Sequence, residues 1–406
     1  MKTNNAQWLE RFEKIMPWGS GTCSKSIVYA PDEPAVITHG KGCRVWDADG
    51  REFIDFKNAL GPITLGYAYP EVNAAISEQL EKGIIFSQPT PPECEVAEII
   101  CKMVPCAEKA RFLKTGGEAC SACIRIARAY TGRDYIIQIG YAGWLNSVGR
   151  GSKVLPGQSS DGYPGGVPAG IGSLTHACDW NDSETITQLF DEYKGKIAAV
   201  IVACTYNNVD DGKTFYPFLR KITQDNGALL ICDEIVMGMR ITWGGAHEYY
   251  NFTPDLVVLS KGIANGMPLS VYAGSSEVMD ACGKTGTAIV SSTMAGEALS
   301  LAAAKACLNI FEKEDVVGHL WRQGKRMWEG LNGIFKQHEL GIRTVGFFPA
   351  MSFEFDSNTL KEAFARAAFR NGVSLYTVVG YVNYSHKDKD IDEALERLDC
   401  ACQELK

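Results

Sequence analysis

No segment of this chain approaches the roughly 18 uninterrupted apolar residues that a membrane-crossing helix needs. Nor is there a Lys/Arg run or basic stripe. The 40 Lys and Arg are outnumbered by 48 Asp and Glu, for a formal net charge of −8 over 406 residues, which argues against a nucleic-acid partner. Met1 to Lys14 carry charges throughout and lack the apolar stretch of a secretory signal, so a soluble, unprocessed, cytoplasmic protein is expected. Fourteen cysteines without an export signal are read as reduced thiols. Cys120 and Cys123 have C-x-x-C spacing, but no second pair or nearby His completes a four-ligand site; packing is expected of them, and no metal. A dinucleotide G-x-G-x-x-G is missing, and Val278 stands where a phosphate loop ending in Gly283-Lys284-Thr285 would need its first glycine.

What is present is ordinary globular composition, 46% hydrophobic and 22% charged, in a length that suits a large domain and a smaller one. Val45 to Phe56 reads as strand, turn, strand, with Asp49-Gly50 at the turn. Its D-x-D-G string lacks the later bidentate acid of a calcium loop. From about residue 90, helical spacing (Glu95 to Met103, Glu118 to Tyr130) alternates with short apolar runs (Ile197 to Ala203, Ala228 to Cys232, Asp255 to Leu259). That alternation predicts an α/β fold whose mainly parallel sheet is covered on both faces, with ligands gathering beyond the carboxyl ends of the strands. Gly162 to Pro168 is read as an ordered loop. Helices over Glu297 to Glu312 and up to His338, strand-like Met351 to Phe355 and a helix from Asp390 to Leu405 suggest a smaller α+β domain. The expected division is 1–60 as an N-terminal segment packing with the small domain, 61–300 as the large domain and 301–406 as the small one.

Pyridoxal phosphate makes four separate demands, an acid, an amine, a phosphate cradle and walls for its ring, and this sequence offers all of them. Asp233 follows an apolar strand, where an ionised carboxylate would keep the pyridine nitrogen protonated and make the ring an electron sink. Ile235, two residues on, would wall one ring face. Lys261 follows the next apolar strand and would hold the cofactor as a Schiff base, about one crossover connection after Asp233. Thr115-Gly116-Gly117 opens a helix whose N-terminal N–H groups suit a phosphate. Tyr141, in Gly140-Tyr141-Ala142-Gly143-Trp144, would stack on the ring. Alone, each of these has a plainer reading: a surface lysine, a solvated acid, a turn, a core tyrosine.

The order Thr115 to Ala119, Tyr141 to Trp144, Asp233-Glu-Ile-Val-Met-Gly-Met-Arg240 and Ser260-Lys261-Gly262 resembles the class III aminotransferases. Pro17 to Lys25 and Gly61 to Pro70 are similar to their glutamate-1-semialdehyde 2,1-aminomutase branch. The resemblance implies a fold-type I pyridoxal-phosphate-dependent transferase, homodimeric with shared active sites, and adds Thr293 as a phosphate contact reaching from the partner subunit. Trp18 and Lys25 become candidate substrate residues. This chain departs from the pattern around the substrate: Ala142 replaces a histidine, Ala203-Cys204 replaces Glu-Pro, and Lys25 stands where the aminomutases carry a carboxylate-binding arginine. Lysine is a point charge and cannot grip a carboxylate bidentately. The expected activity is therefore transfer of an amino group from an amino donor to a small carbonyl acceptor, sugar-like or a biosynthetic intermediate, with an aminomutase or epimerase as the alternative. A Rossmann-type oxidoreductase lacks its fingerprint here, and a non-catalytic binding protein has no use for the retained Lys261 and Asp233.

Overall fold

The computed structural model describes residues 2–145, 166–204 and 209–405, in two compact units: 71–314, and 1–70 with 315–406. Of the glycine-rich loop expected over Gly162 to Pro168, only Gly166 to Pro168 fall within the described residues.

The larger unit is built on a seven-stranded sheet. In chain order its strands are β1 (Lys109–Leu113), β2 (Tyr135–Ile139), β3 (Thr175–Cys178), β4 (Ile197–Ala203), β5 (Leu229–Asp233), β6 (Leu256–Leu259) and β7 (Ser270–Gly274). Across the sheet they run β1-β7-β6-β5-β4-β2-β3. Every neighbouring pair from β6 to β3 is parallel, while β7 lies antiparallel to both β1 and β6. Six strands thus end on the same edge, and β7 begins there. The central strands are apolar almost without interruption because both faces are covered: the first six residues of β4 and all of β5 are buried. Each such Ile, Leu or Val contributes roughly 1.5–3 kcal/mol through burial.

One face is covered by the helix Gly116–Thr131. Thr115 and Glu118 form a reciprocal capping box at its start, and Gly132, left-handed at φ 66°, ends it. Its buried Ala119, Cys120, Cys123, Ile126 and Ala127 recur every three or four residues and pack on Ile136, Ile201, Ile231 and Val258. The helix Ala298–Lys313 also belongs to this unit, which moves the boundary from the expected residue 300 to 314/315. The reason is packing that a sequence pattern does not display. Ala298 N donates to Ile84 O, Cys307 Sγ to Gly262 O, Lys305 pairs with Glu95, and Phe311 meets the Trp243 ring. At the other end the division falls at 70/71 rather than 60/61.

In the smaller unit the expected hairpin is present, with strands Arg44–Asp47 and Glu52–Asp55 and Gly50 at φ 84°. Ile37–Lys41 extends it on one side and Val373–Ser374 on the other. The acids of the D-x-D-G string are used by protein donors: Asp47 accepts from Asp49 N, Arg51 N, Arg51 Nε and Asn5 Nδ2, and Asp49 from Asn4 N and Asn5 N. The strands Ile342–Phe347, Ala350–Phe355 and Gly380–Tyr381 form a second sheet, accompanied by helices Val316–Gln337, Asn358–Arg370 and Asp388–Gln403. Among the described residues, no helix is long and apolar enough to cross a membrane, and no group of three or more His, Cys, Asp or Glu is placed to hold a metal ion.

Candidate active site

Because six strands of the large sheet end on one edge, residues at or just past the ends of β1, β2, β4, β5 and β6 gather there: Thr115, Tyr141, Cys204, Asp233 and Lys261. Ser270, the first residue of β7, joins them and donates its hydroxyl to Thr115 O at 2.8 Å.

Asp233 is the last residue of β5, and only 6% of it is exposed. Its Oδ1 accepts from Ile235 N at 3.0 Å, and its Oδ2 accepts from the Cys120 thiol at 3.5 Å. Burial pushes its carboxyl up to about 6, against the Ile235 N–H, the nearby Lys261 charge and the Cys120 thiol. Lys261 opens a short 3-10 turn, Lys261–Ala264, directly after β6. Desolvation pulls its amine down to about 8, the Arg240 guanidinium acts in the same direction, and Asp233 opposes both. Burial thus weakens the charge of each, and each partly restores the other. The lysine's base is fixed by Ser260 Oγ donating to Leu269 O at 2.8 Å and by Asn265, left-handed at φ 45°, which turns the chain back.

At the start of the Gly116–Thr131 helix the Thr115 hydroxyl is already engaged. It accepts from Glu118 N and donates to Glu118 Oε2, which also takes Thr115 N. The amides of Gly116 and Gly117 lie in the first helical turn, where an N–H has no acceptor within the helix and points toward an anion. A Cβ on Gly116 would lie 2.4 Å from Ile235 Cδ1, so the glycine is what lets Ile235 lean against this turn. Above it, Gly143 at φ 100° lies so close that its Cβ would be 2.8 Å from the Gly117 Cα. We expect Gly143→Ala to cost about 1–3 kcal/mol in stability and to weaken phosphate binding; thermal unfolding with and without inorganic phosphate measures both.

Tyr141 is partly exposed, following Gly140 at φ 76°. A Cβ on Gly140 would meet Ala203 Cβ at 3.2 Å, so the small side chain of Ala203 is packed against the tyrosine's own turn. Ala142 is wholly buried in the core under the helix. Thr293 is exposed in a turn of the same unit. Trp18 and Lys25 belong to the smaller unit, both exposed, each in a short 3-10 turn; Ser26 Oγ donates to Trp18 O at 2.9 Å.

The sequence reading missed two members of the site. Cys120 does more than pack, since its thiol rests on Asp233. Arg240, wholly buried and donating from Nε to Val236 O, is the second charge sensed by Lys261. Cys120 follows the glycines at a spacing that returns to the sheet-facing side of the helix, a signal that could have found it.

The sequence model of the aminotransferase class-III family matches residues 28–402. The chain belongs to that family. Among its relatives, the glutamate-1-semialdehyde 2,1-aminomutase of Acetivibrio thermocellus is 33% identical over 96% of this chain and 95% of its own length. The aminomutase of the same name from Aquifex aeolicus is 32% identical over 97% of each. The FumI protein of Sphingopyxis sp. MTA144, solved in a PLP form, superimposes with a TM-score of 0.88 at 25% identity, covering 99% of this chain and 96% of that one. This class III chain is an enzyme of the aminotransferase type with pyridoxal phosphate as its cofactor, on the α/β fold of the pyridoxal-phosphate transaminases.

The residues present fit that cofactor. Asp233 is a buried carboxylate whose Oδ2, among the described residues, takes a hydrogen bond from the Cys120 thiol alone, and it has room for one more N–H. Glycines 116, 117 and 143 form a cradle that a single Cβ would fill, and an amine of depressed pKa lies just past the end of the neighbouring strand.

Proposed function

We propose that this enzyme is a transaminase that moves an amino group from an amino donor to a small carbonyl acceptor, with Lys261 as cofactor anchor and proton carrier and Asp233 as the partner of the ring nitrogen. The observation that carries this reading is the placement of Asp233 and Lys261 at the ends of adjacent parallel strands, each buried enough to shift the other's charge state. Bound there, pyridoxal phosphate supplies an electron sink for the bond-breaking at the amino-bearing carbon.

The chain's own groups do the rest. Asp233 accepts the ring N–H and keeps that proton in place. Gly116 and Gly117 offer their amides to the phosphate, while Tyr141 and Ile235 bracket the ring. With its pKa near 8, Lys261 Nζ takes up a proton from the substrate carbon and returns it elsewhere close to neutral pH. Thr293 reaches the phosphate of a second copy, so the working form is a homodimer with shared active sites. The fourteen free thiols favour a reducing, cytoplasmic setting.

A second reading has an observation of its own, since the sequence relatives at 32–33% identity bear the name of an aminomutase. It uses the same residues and keeps the amino group on one molecule. The exposed Lys25, a point charge where those enzymes have an arginine, favours an acceptor other than glutamate semialdehyde, sugar-like or another biosynthetic carbonyl. Supplying one amino donor without acceptor is the test. We expect one equivalent of keto product per active site and conversion of the cofactor to its amine form. Turnover confined to glutamate semialdehyde, with no keto product, would establish the mutase instead.

A further inference from the structure

We propose that Cys120 is a positioning residue for the reaction: its thiol, resting on Asp233 Oδ2, sets how firmly that carboxylate holds the proton of the cofactor's ring nitrogen. The inference rests on the reading above, in which Asp233 is the partner of that nitrogen.

Among the described residues Asp233 has two hydrogen-bond donors, and they are unequal. Ile235 N is a strong backbone donor at 3.0 Å to Oδ1, and Cys120 Sγ is a weak one at 3.5 Å to Oδ2. A strong donor at Oδ2 would draw electron density from the carboxylate and make it a poorer base toward the ring N–H. A side chain with no donor would leave it more basic. The thiol sits between these, and it cannot move away: Cys120 is wholly buried on the sheet-facing side of the Gly116–Thr131 helix, with Cys123 one turn further on. Burial raises both thiols well above the ordinary cysteine value, so Cys120 stays protonated and remains a donor beside the carboxylate. The same helix offers Gly116 and Gly117 to the phosphate from its first turn. One rigid element therefore fixes the two ends of the cofactor, the phosphate through its N-terminus and the ring nitrogen through Cys120 on Asp233.

The test is infrared titration of the full chain freed of cofactor, with the Asp233 carboxyl band assigned by its loss in Asp233→Asn. Cys120→Ser supplies a stronger donor and is expected to lower the midpoint, whereas Cys120→Ala removes the donor and is expected to raise it, each by roughly half a pH unit or more. In the wild-type chain the Cys120 S–H stretch, identified by its loss in Cys120→Ala, is expected to shift when Asp233→Asn removes the carboxylate. This second measurement decides the matter even where Cys120→Ala fails to fold. With the cofactor restored, the two Cys120 variants are expected to move the pH midpoint of its visible band in opposite directions and to change kcat more than KM. Coincident midpoints for wild type and both variants, or an S–H stretch indifferent to Asp233→Asn, would overturn the proposal. A failure of the underlying reading looks different: Asp233→Asn would then leave the cofactor spectrum unaltered while the thiol and carboxyl still report on each other.

Discussion

Replacing Lys261 with alanine is expected to abolish covalent attachment of pyridoxal phosphate and to lower turnover by roughly ten-thousand-fold. An amine must be neutral to attack the cofactor's aldehyde. At pH 7.5 an ordinary lysine is neutral in only about one molecule per thousand, whereas one with its pKa near 8 is neutral in about a quarter of them. Desolvation therefore makes this lysine reactive, and the nearby Asp233 charge limits how far the shift goes. In the proposed function the same amine also moves the proton at the substrate carbon, so its loss would remove anchor and proton carrier together. Borohydride reduction followed by digestion and mass spectrometry locates the attachment directly. In the wild-type chain the label is expected on the peptide carrying Lys261, and in Lys261→Ala nowhere. Wild-type labelling on another lysine, such as Lys114 with its ion pair to Glu297, would refute the assignment.

Much of this arrangement can be read in the sequence because the sheet is buried on both faces. The run from Ile197 to Ala203 has no alternation, and it forms the strand Ile197–Ala203. Likewise Asp233 and Lys261 stand just past apolar runs, which in a parallel sheet places them on one edge. Pairings between distant segments left no comparable mark. The thiol of Cys120 meets Asp233 across a long stretch of chain, and a pattern read along one sequence contains only the helix face, not its partner. The helix Ala298–Lys313 looks like the start of a second domain until its contacts with Ile84, Glu95 and Gly262 are known. The turn Asn58 to Gly61 escaped notice for another reason. Asn58, Ala59 and Leu60 all adopt positive φ, which non-glycine residues avoid. Asn58 is held so by bonds to Asp55, Tyr381 and Asn383, the last two far along the chain. Local propensity argues against such a conformation; only the tertiary partners produce it.

Asp233→Asn is expected to stabilise the cofactor-free chain while reducing turnover about a thousand-fold. The two effects have one cause. Burial lifts the Asp233 carboxyl from its ordinary value to about 6, so keeping it ionised at neutral pH costs on the order of 3 kcal/mol. Its folded pKa lies above the unfolded one, and between about 4 and 6 the folded chain binds the extra proton. The penalty is therefore fully present above pH 6 and relieved as the pH falls through 6 toward 4. Asparagine carries no charge to bury, so the variant is expected to gain about 1–3 kcal/mol in urea unfolding at pH 7.5, and the gain is expected to shrink toward pH 4. In the proposed site the ring N–H of a bound cofactor would supply the opposite charge and the penalty would become useful, since a carboxylate of raised pKa is a strong acceptor for that proton. An amide at position 233 could not hold it there as a carboxylate would, and the electron sink would be lost. Covalent attachment at Lys261 is expected to survive, because removing the Asp233 charge lowers the lysine's pKa further below 8. An Asp233→Asn chain that keeps near wild-type turnover, or one less stable at neutral pH than at pH 4 relative to wild type, would show that the carboxylate serves the fold and not the cofactor.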